Sequence, residues 1–327
     1  MKIVVVGSGV SAMVASWVCR SHDLVCWSPS GRFGGQFASG PFRLVRATQA
    51  ATDMLDQLDL AFETHDSQPG IILADGSLLP LPDGFATVRS RDAAKMRQEY
   101  ITKSRGAWAV SREELEGMAE PERHPDLALD FDFASFRRAI ADDTEIRQGQ
   151  LVDLDPQRRR ATFRGPSGDV VESYDSLIFT CPSEVVYRAL PVRHAQKMPQ
   201  HVTSAVDIVH VVTPDGVGAA IDRLVGFDVV WTPATPAASL MRLSHETDGY
   251  ACEFKAGATL EEIKADLAFA LPFGHSHVKI DRGLRGIVTH DREAGELPKD
   301  VHAAGPHATG YMCTLDETLD RMMELFA

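Results

Sequence analysis

Met1-Lys2-Ile3-Val4-Val5-Val6-Gly7-Ser8-Gly9-Val10-Ser11-Ala12 opens the chain. Met1 to Val6 is a short apolar run of strand type, cut off by a glycine turn. From Val10 to Cys19 small and apolar residues suit one face of a helix, and His22 to Trp27 reads as a second strand. Strand, glycine turn, helix and strand make one βαβ unit, the beginning of a Rossmann-like α/β fold. Each small residue answers a physical demand. Gly7 permits the tight turn, Gly9 lets backbone approach a pyrophosphate, and Ala12 keeps the helix close to the sheet where a third glycine often stands. The helix start at Val10 and Ser11 offers free N–H groups and a partial positive charge to phosphate.

Gly31-Arg32-Phe33-Gly34-Gly35, followed by Gln36, comes just after the second strand. It resembles the G-R-x-G-G segment of the flavin amine oxidase and UDP-galactopyranose mutase superfamily. Gly40-Pro41-Phe42-Arg43 and Leu55-Asp56-Gln57-Leu58-Asp59-Leu60 resemble altered forms of two further family pieces. The resemblance implies FAD, with the double glycine passing the pyrophosphate and the flavin ring and Arg32 near the isoalloxazine. One position departs from the pattern. A carboxylate usually closes the second strand and binds the ribose hydroxyls, but Ser28 stands there, between Trp27 and Pro29. A serine hydroxyl cannot chelate two hydroxyls, so the adenosine end is expected to be held differently.

At 327 residues the length fits about two domains, and 44% hydrophobic with 24% charged residues is ordinary globular composition. No apolar run approaches the ~20 residues that span a bilayer. The glycine turn marks the apolar start as a strand and not a signal peptide. Five dispersed cysteines without a CxxC pair point to reduced thiols in a cytoplasm, with no zinc or disulfide framework. A net charge of −13 argues against a nucleic-acid partner as a whole-surface property. Among local basic clusters, Arg43 to Arg46 could meet an anion, and Arg158-Arg159-Arg160 reads as a solvated turn after Asp155-Pro156.

Ala47 to Leu60 has helical spacing, and Ile71 to Leu81 reads as a hairpin around Asp75-Gly76. Residues 84–130 form the expected helical insert, with a capping box at Ser111 and Glu114. Phe131 to Ile140 reads as a helix, and Glu145 to Leu154, Arg160 to Gly165 and Val170 to Thr180 as three strands. Tyr174-Asp175-Ser176-Leu177-Ile178-Phe179-Thr180-Cys181-Pro182 resembles the family's second flavin signature, which implicates Thr180. Near Leu151-Val152 the family places a backbone contact to adenine. Cys181 reads as an ordinary buried thiol, with no base or cation beside it in sequence.

From Val202 to Lys255 the pattern predicts an antiparallel sheet, followed by a helix over Thr259 to Leu271 with Glu261 and Glu262 in its first turn. Val301 to Leu325 resembles the superfamily's closing motif, in which a strand ends at glycine and a helix begins beneath the flavin; Gly305, Thr309, Leu315 and Asp316 match the mutase's spacing. Thr314 with Glu317 makes a capping box there. The expected architecture is α/β: an FAD-binding domain from 1–83, 131–196 and 281–327, the helical insert at 84–130, and a β-sheet substrate domain at 197–280.

The resemblance implies a flavoenzyme without choosing its reaction. Oxidation of a C–N bond in an amine or amino-acid-type substrate, by hydride transfer to flavin N5, asks least of the protein. It needs no compact His/Asp or Cys/His set, and the residues show none. The substrate could also be an amino-acid adduct of a larger molecule such as a modified nucleobase. Arg43, Arg46 or Arg242 could clamp a carboxylate, and Trp231, Tyr250 and His307 are further substrate candidates. A sugar-nucleotide isomerase like the mutase is an alternative, supported by Ser239-Leu240-Met241-Arg242-Leu243-Ser244-His245-Glu246, which is similar to the mutase's T-R-x-x-E segment. Against it, Pro306, Gly310 and Met312 stand where anion-binding arginine and tyrosine residues would be. A non-catalytic flavoprotein is the third reading, favoured by Ser28 and Pro306.

Overall fold

A computed structural model describes residues 1–34, 45–66, 69–72, 78–80, 127–196, 200–212, 229–231, 237–242, 249–255, 257–270, 283–293, 296–305 and 315–326. Its first layer is a parallel sheet. Strand β1 (Lys2–Val6) leads through the glycine turn into helix α1 (Val10–Val18), then strand β2 (Asp23–Ser28). After a short strand β3 (Val45–Arg46), helix α2 (Gln49–Gln57) starts at Thr48, whose hydroxyl accepts from the Ala51 N–H. Strands β4 (Phe62–Asp66), β5 (Pro69–Ile72) and β6 (Leu78–Pro80) follow, then β7 (Leu127–Phe131). Helix α3 (Phe133–Asp143) leads into β8 (Ile146–Gln148).

Strands β9 (Gln150–Asp155), β10 (Arg160–Gly165) and β11 (Gly168–Ser173) form an antiparallel meander, and β12 (Ser176–Phe179) returns to the parallel sheet. Two short helices, α4 (Ser183–Ala189) and α5 (Val192–Ala195), precede β13 (Gln200–Val212). Then come β14 (Val229–Trp231), β15 (Ala237–Arg242), β16 (Gly249–Lys255), helix α6 (Leu260–Ala270), β17 (Gly283–Glu293), β18 (Val301–Ala303) and helix α7 (Leu315–Phe326).

The parallel sheet runs β18-β12-β1-β2-β8. Because both of its faces are covered, β1 is apolar at every position from Ile3 to Val6, without alternation. Ile3 and Val5 pack with α1, α3 and α7, whereas Val4 and Val6 pack with the meander and α4. Trp27 closes the second core by stacking on Phe163 at 4.4 Å between ring centroids. Glu172, buried on β11, accepts from Lys2 Nζ at 2.7 Å and also pairs with Arg147, which ties the meander to β1 and β8. Arg159 likewise meets Asp300 at 2.6 Å, so the arginine triplet's turn is anchored and not merely solvated.

Several expectations are corrected. Glu145 to Leu154 is two strands in different sheets, because Gly149 lies against the Trp27 ring and the chain steps off the parallel sheet there. Val170 to Thr180 is also two strands, divided at Tyr174-Asp175. Phe131 ends a strand; the helix begins at Phe133, where Asp132 accepts from the Ala134 and Ser135 N–H groups. Leu127 to Asp130, expected within the helical insert, belong to β7; residues 84–126 lie outside the described residues, as does the Ser111 capping box.

The hairpin around Asp75-Gly76 is present as β5 and β6, with Ile71 opposite Leu79. It belongs to the seven-stranded sheet β17-β13-β16-β15-β14-β5-β6. That sheet departs from a purely antiparallel plan at one place, since β14 and β5 run parallel. It also extends past residue 280, because β17 pairs with β13. Helix α6 opens with a reciprocal cap: the Glu262 N–H donates to the Thr259 hydroxyl, and the Glu262 carboxylate accepts from the Thr259 N–H.

Removing the Phe163 ring leaves Trp27 without its stacking partner in a closed core. Phe163→Ala should lower unfolding free energy by about 3–5 kcal/mol, read as a lower urea midpoint with unchanged slope.

Candidate cofactor-binding site

Strands β1, β2 and β12 present their carboxyl ends side by side, and the chain leaves β1 toward β2 on one flank and β12 on the other. Ligands of open α/β sheets bind outside such a switch point. Gly7 turns there with φ +141, and a β-carbon on it would stand 2.0 Å from Thr180 Oγ1. The Thr180 hydroxyl itself donates to the Val6 carbonyl at 3.3 Å. Thr180, read from the sequence as a cofactor contact, therefore supports the turn from below.

Gly9 is different. It caps α1 with no side-chain bond, its φ of −77 is one any residue adopts, and a β-carbon there would meet nothing within 4 Å. The first bonds inside the helix run from the Ala12 and Met13 N–H groups to the Gly9 carbonyl. By helix geometry the N–H groups of Val10 and Ser11 precede that ladder and point outward. Ala12 is fully buried against the sheet, as its place in the motif requires. Open space beside Gly9 and outward N–H groups fit a pyrophosphate.

The C-terminal segment closes on the same turn. Gly305 follows β18 with φ +83, and a β-carbon on it would lie 2.0 Å from Ser11 Oγ. The loop after β2 is pinned there too, by the Gly34 N–H donating to the Ser8 carbonyl at 2.9 Å. Phe33 anchors that loop by burying its ring in the helix-side core. Leu315, at the start of α7, is buried, and α7 packs on α1.

The loop after β2 is built around Ser28 and its neighbours. Ser28 is 1% exposed, and its hydroxyl accepts from the Gly31 N–H at 3.1 Å. Ser30 uses its own proton on the Arg32 carbonyl, so the 3.3 Å contact between the two serines has Ser28 as donor. The Ser28 side chain, a cofactor candidate in the sequence, thus holds the loop through its own hydrogen bonds. The Gly149 N–H donates to the Ser28 carbonyl at 2.9 Å, bringing the start of β9 alongside. There the ladder steps from Asp153 opposite Thr162 to Leu151 opposite Phe163, so Val152 is a bulge residue without a partner across the ladder.

Between this loop and α3 lies a cavity of about 410 Å³, lined by Arg32, Arg137 and Arg138 together with Gly31, Phe33 and Ile146. Arg32 therefore stands on the α3 side of its loop. Arg137 and Arg138 were not singled out in the sequence; an arginine pair in a helical stretch reads as a solvated face until topology sets another arginine across from it.

Gly35, Gln36, Arg43, His307 and Thr314 lie outside the described residues. Arg46, Trp231, Arg242 and Tyr250 are placed by backbone. Arg46 is on β3, and Arg242 lies directly opposite Tyr250 in the β15–β16 register. Trp231 lies opposite Ser239, an odd step from Arg242, so it occupies the other set of alternate positions. Burial pushes the Cys26 and Cys181 thiols up to about 12, so neither is a thiolate at neutral pH.

Comparisons with known proteins sharpen the fold assignment. No family model matches the chain, and no curated protein matches it in sequence. Among solved structures, it is similar to reduced UDP-galactopyranose mutase (13% identity, TM-score 0.62, covering 99% of this chain and 94% of that one). An oxidoreductase from Methanosarcina mazei is similar at 12% identity and TM-score 0.64, covering 99% of both chains. A putrescine oxidase variant is similar at 13% identity and TM-score 0.59, covering 99% of this chain and 97% of that one. The chain shares its overall fold with these proteins. Among the described residues no helix is long and apolar enough to cross a membrane.

Gly305→Ala should lower the melting temperature, since it combines a left-handed backbone with a clash on α1. Adding Ser11→Gly removes the atoms that clash and should restore part of the loss, leaving the backbone strain. Thermal unfolding of the single and double variants checks this; equal melting temperatures for Gly305→Ala and the parent chain would contradict the close approach.

Proposed function

We propose that the protein is an FAD-dependent oxidoreductase that oxidises the C–N bond of an amine or amino-acid-type substrate. The observation that carries this reading is the open anion cradle at Gly9 within a fold shared with amine oxidases. In this reading the Val10 and Ser11 N–H groups hold the pyrophosphate, and the backbone at the Val152 bulge meets the adenine. Gly305 and the start of α7 at Leu315 border the flavin end, where helix N–H groups favour negative charge. When bound, FAD supplies the two-electron acceptor. The chain's own work is to seat the substrate between the parallel sheet and the seven-stranded sheet, to keep its amine neutral and to exclude water. Arg242, opposite Tyr250, would meet a substrate carboxylate bidentately.

Similarity to the mutase favours a second reading, non-redox isomerisation of a sugar nucleotide. The two separate in one experiment. Purified protein should show oxidised-flavin absorbance that bleaches when amines or amino acids are added without oxygen. Flavin that ignores every amine, but whose reduced form reacts with a UDP-sugar, would replace the first reading by the second. Protein that stays colourless after incubation with FAD would overturn both.

Gly9→Asp gives a sharper check of the cradle. The side chain has room, and aspartate is a favourable helix cap, so folding should be unharmed or improved. Its carboxylate would face the pyrophosphate, and like charges in contact cost several kcal/mol, so FAD affinity should fall about a hundredfold or more. A fully loaded Gly9→Asp protein would show that the dinucleotide does not lie on this turn.

A further inference from the structure

The antiparallel meander ends in an exposed edge that the oxidase reading does not use. β11 is the outer strand of the order β11-β10-β9, with Val170 39% and Val171 58% exposed. Its bonds to β10 alternate. Gly168, Val170 and Glu172 stand opposite Gly165, Phe163 and Ala161, and the Tyr174 N–H donating to the Arg159 carbonyl continues the same series. These are the bonded pairs of an antiparallel ladder, so Asp169, Val171 and Ser173 point their N–H and C=O groups away from β10. Among the described residues no group answers them. The strand has no proline, lysine or bulge, the usual protections of an edge. We propose that β11 pairs with β11 of a second copy of this chain, antiparallel about a two-fold axis at Val171, joining two meanders into one continuous sheet.

Register and charge select this partner. Only residues with outward groups can bond across the edge, which restricts an antiparallel copy to few registers. With the axis at Val171, that residue faces itself and Asp169 faces Ser173 of the second copy, so every outward residue is used. An axis at Val170 would set Ser173 against Ser167 in the turn. An axis at Glu172 would set two glutamates directly opposite, which is destabilising. On the outer side Asp169 already meets Arg164 at 3.0 Å. Arg160, opposite Ser173 in the ladder, is exposed and has no ion pair among the described residues. Across the axis Ser173 is followed by Asp169 of the second copy, and the strand spacing of about 4.8 Å is a step that an arginine side chain crosses. On the inner side Val170 comes beside Glu172 of the second copy, whose carboxylate Lys2 and Arg147 already answer. Gly168, with open space around it, faces Tyr174. β10 separates this edge from the Val152 bulge, so the dimer leaves the cofactor turn open and does not depend on the flavin reading.

A strand of 6 residues buries less than a standard interface, so the dissociation constant should be micromolar, roughly 1–100 μM. Sedimentation velocity of the full chain across that range should show a passage from monomer to dimer. Val171→Lys sets two lysines face to face on the axis, and Val171→Glu sets two glutamates. Each should raise the dissociation constant at least about tenfold. Because residue 171 faces itself, an equimolar mixture of the two variants should dimerise again. Val171 is exposed, so both variants should fold, which circular dichroism checks. A parent chain that stays monomeric throughout overturns the proposal and leaves the edge to a strand of another protein. A dimer indifferent to Val171→Lys lies elsewhere on the surface and overturns it equally. Two monomeric variants that fail to combine would overturn the register at Val171. None of these outcomes touches the flavin spectrum, which judges the oxidase reading on its own.

Discussion

Two close approaches of backbone to side chain govern the carboxyl edge of the parallel sheet. At Gly7 the turn leaves no room for a β-carbon beside Thr180, and at Gly305 the C-terminal segment leaves none beside Ser11. Both glycines have positive φ, so each provides closeness and an unusual backbone direction at once. Between them they bring residues some 300 positions apart in sequence onto one helix start. Interiors are packed too densely for such contacts to relax gradually. Gly9, in the same turn, has the opposite property: empty space. The turn is thus rigid where it meets protein and open where a phosphate would come.

The same division runs through the two cores. β1 separates a helical layer from the antiparallel meander, and its alternate residues feed both. Trp27 and Phe163 stack across the join, and Glu172 links β11 to Lys2 and Arg147. A carboxylate so buried is costly unless paired, and here two cations answer it. The meander is therefore fixed to the sheet by one apolar and one ionic fastening. This holds the bulge at Val152 in place next to the end of β2.

Much of this was legible in the sequence because local rules suffice for it. An apolar run ended by Gly7-Ser8-Gly9 has few foldings available, and the turn signals at Asp155-Pro156 and Ser167-Gly168 sit where the meander turns. What could not be read depended on contacts distant in sequence. Nothing local to Glu145–Leu154 says that Gly149 will meet the Trp27 ring and divide one strand into two. Nothing in the hairpin at 69–80 says that it will extend a sheet whose other strands lie beyond residue 200.

Ser28 shows how a departure from a pattern is resolved physically. Replacing an acid by a serine removes a charge that would otherwise face the ribose, and that loss could leave the loop after β2 unsupported. Instead the hydroxyl is drawn inside, where the Gly31 N–H and the Ser30 hydroxyl saturate it and shape the turn. With no carboxylate at the strand end, Arg32 on the loop and Arg137 and Arg138 on α3 line the depression beside it, and the Asp132 carboxylate acts on Arg138 from the start of the helix. The open turn at Gly9 and the arginine-lined depression both border the loop anchored by Phe33: the first presents backbone N–H groups, the second side-chain charge.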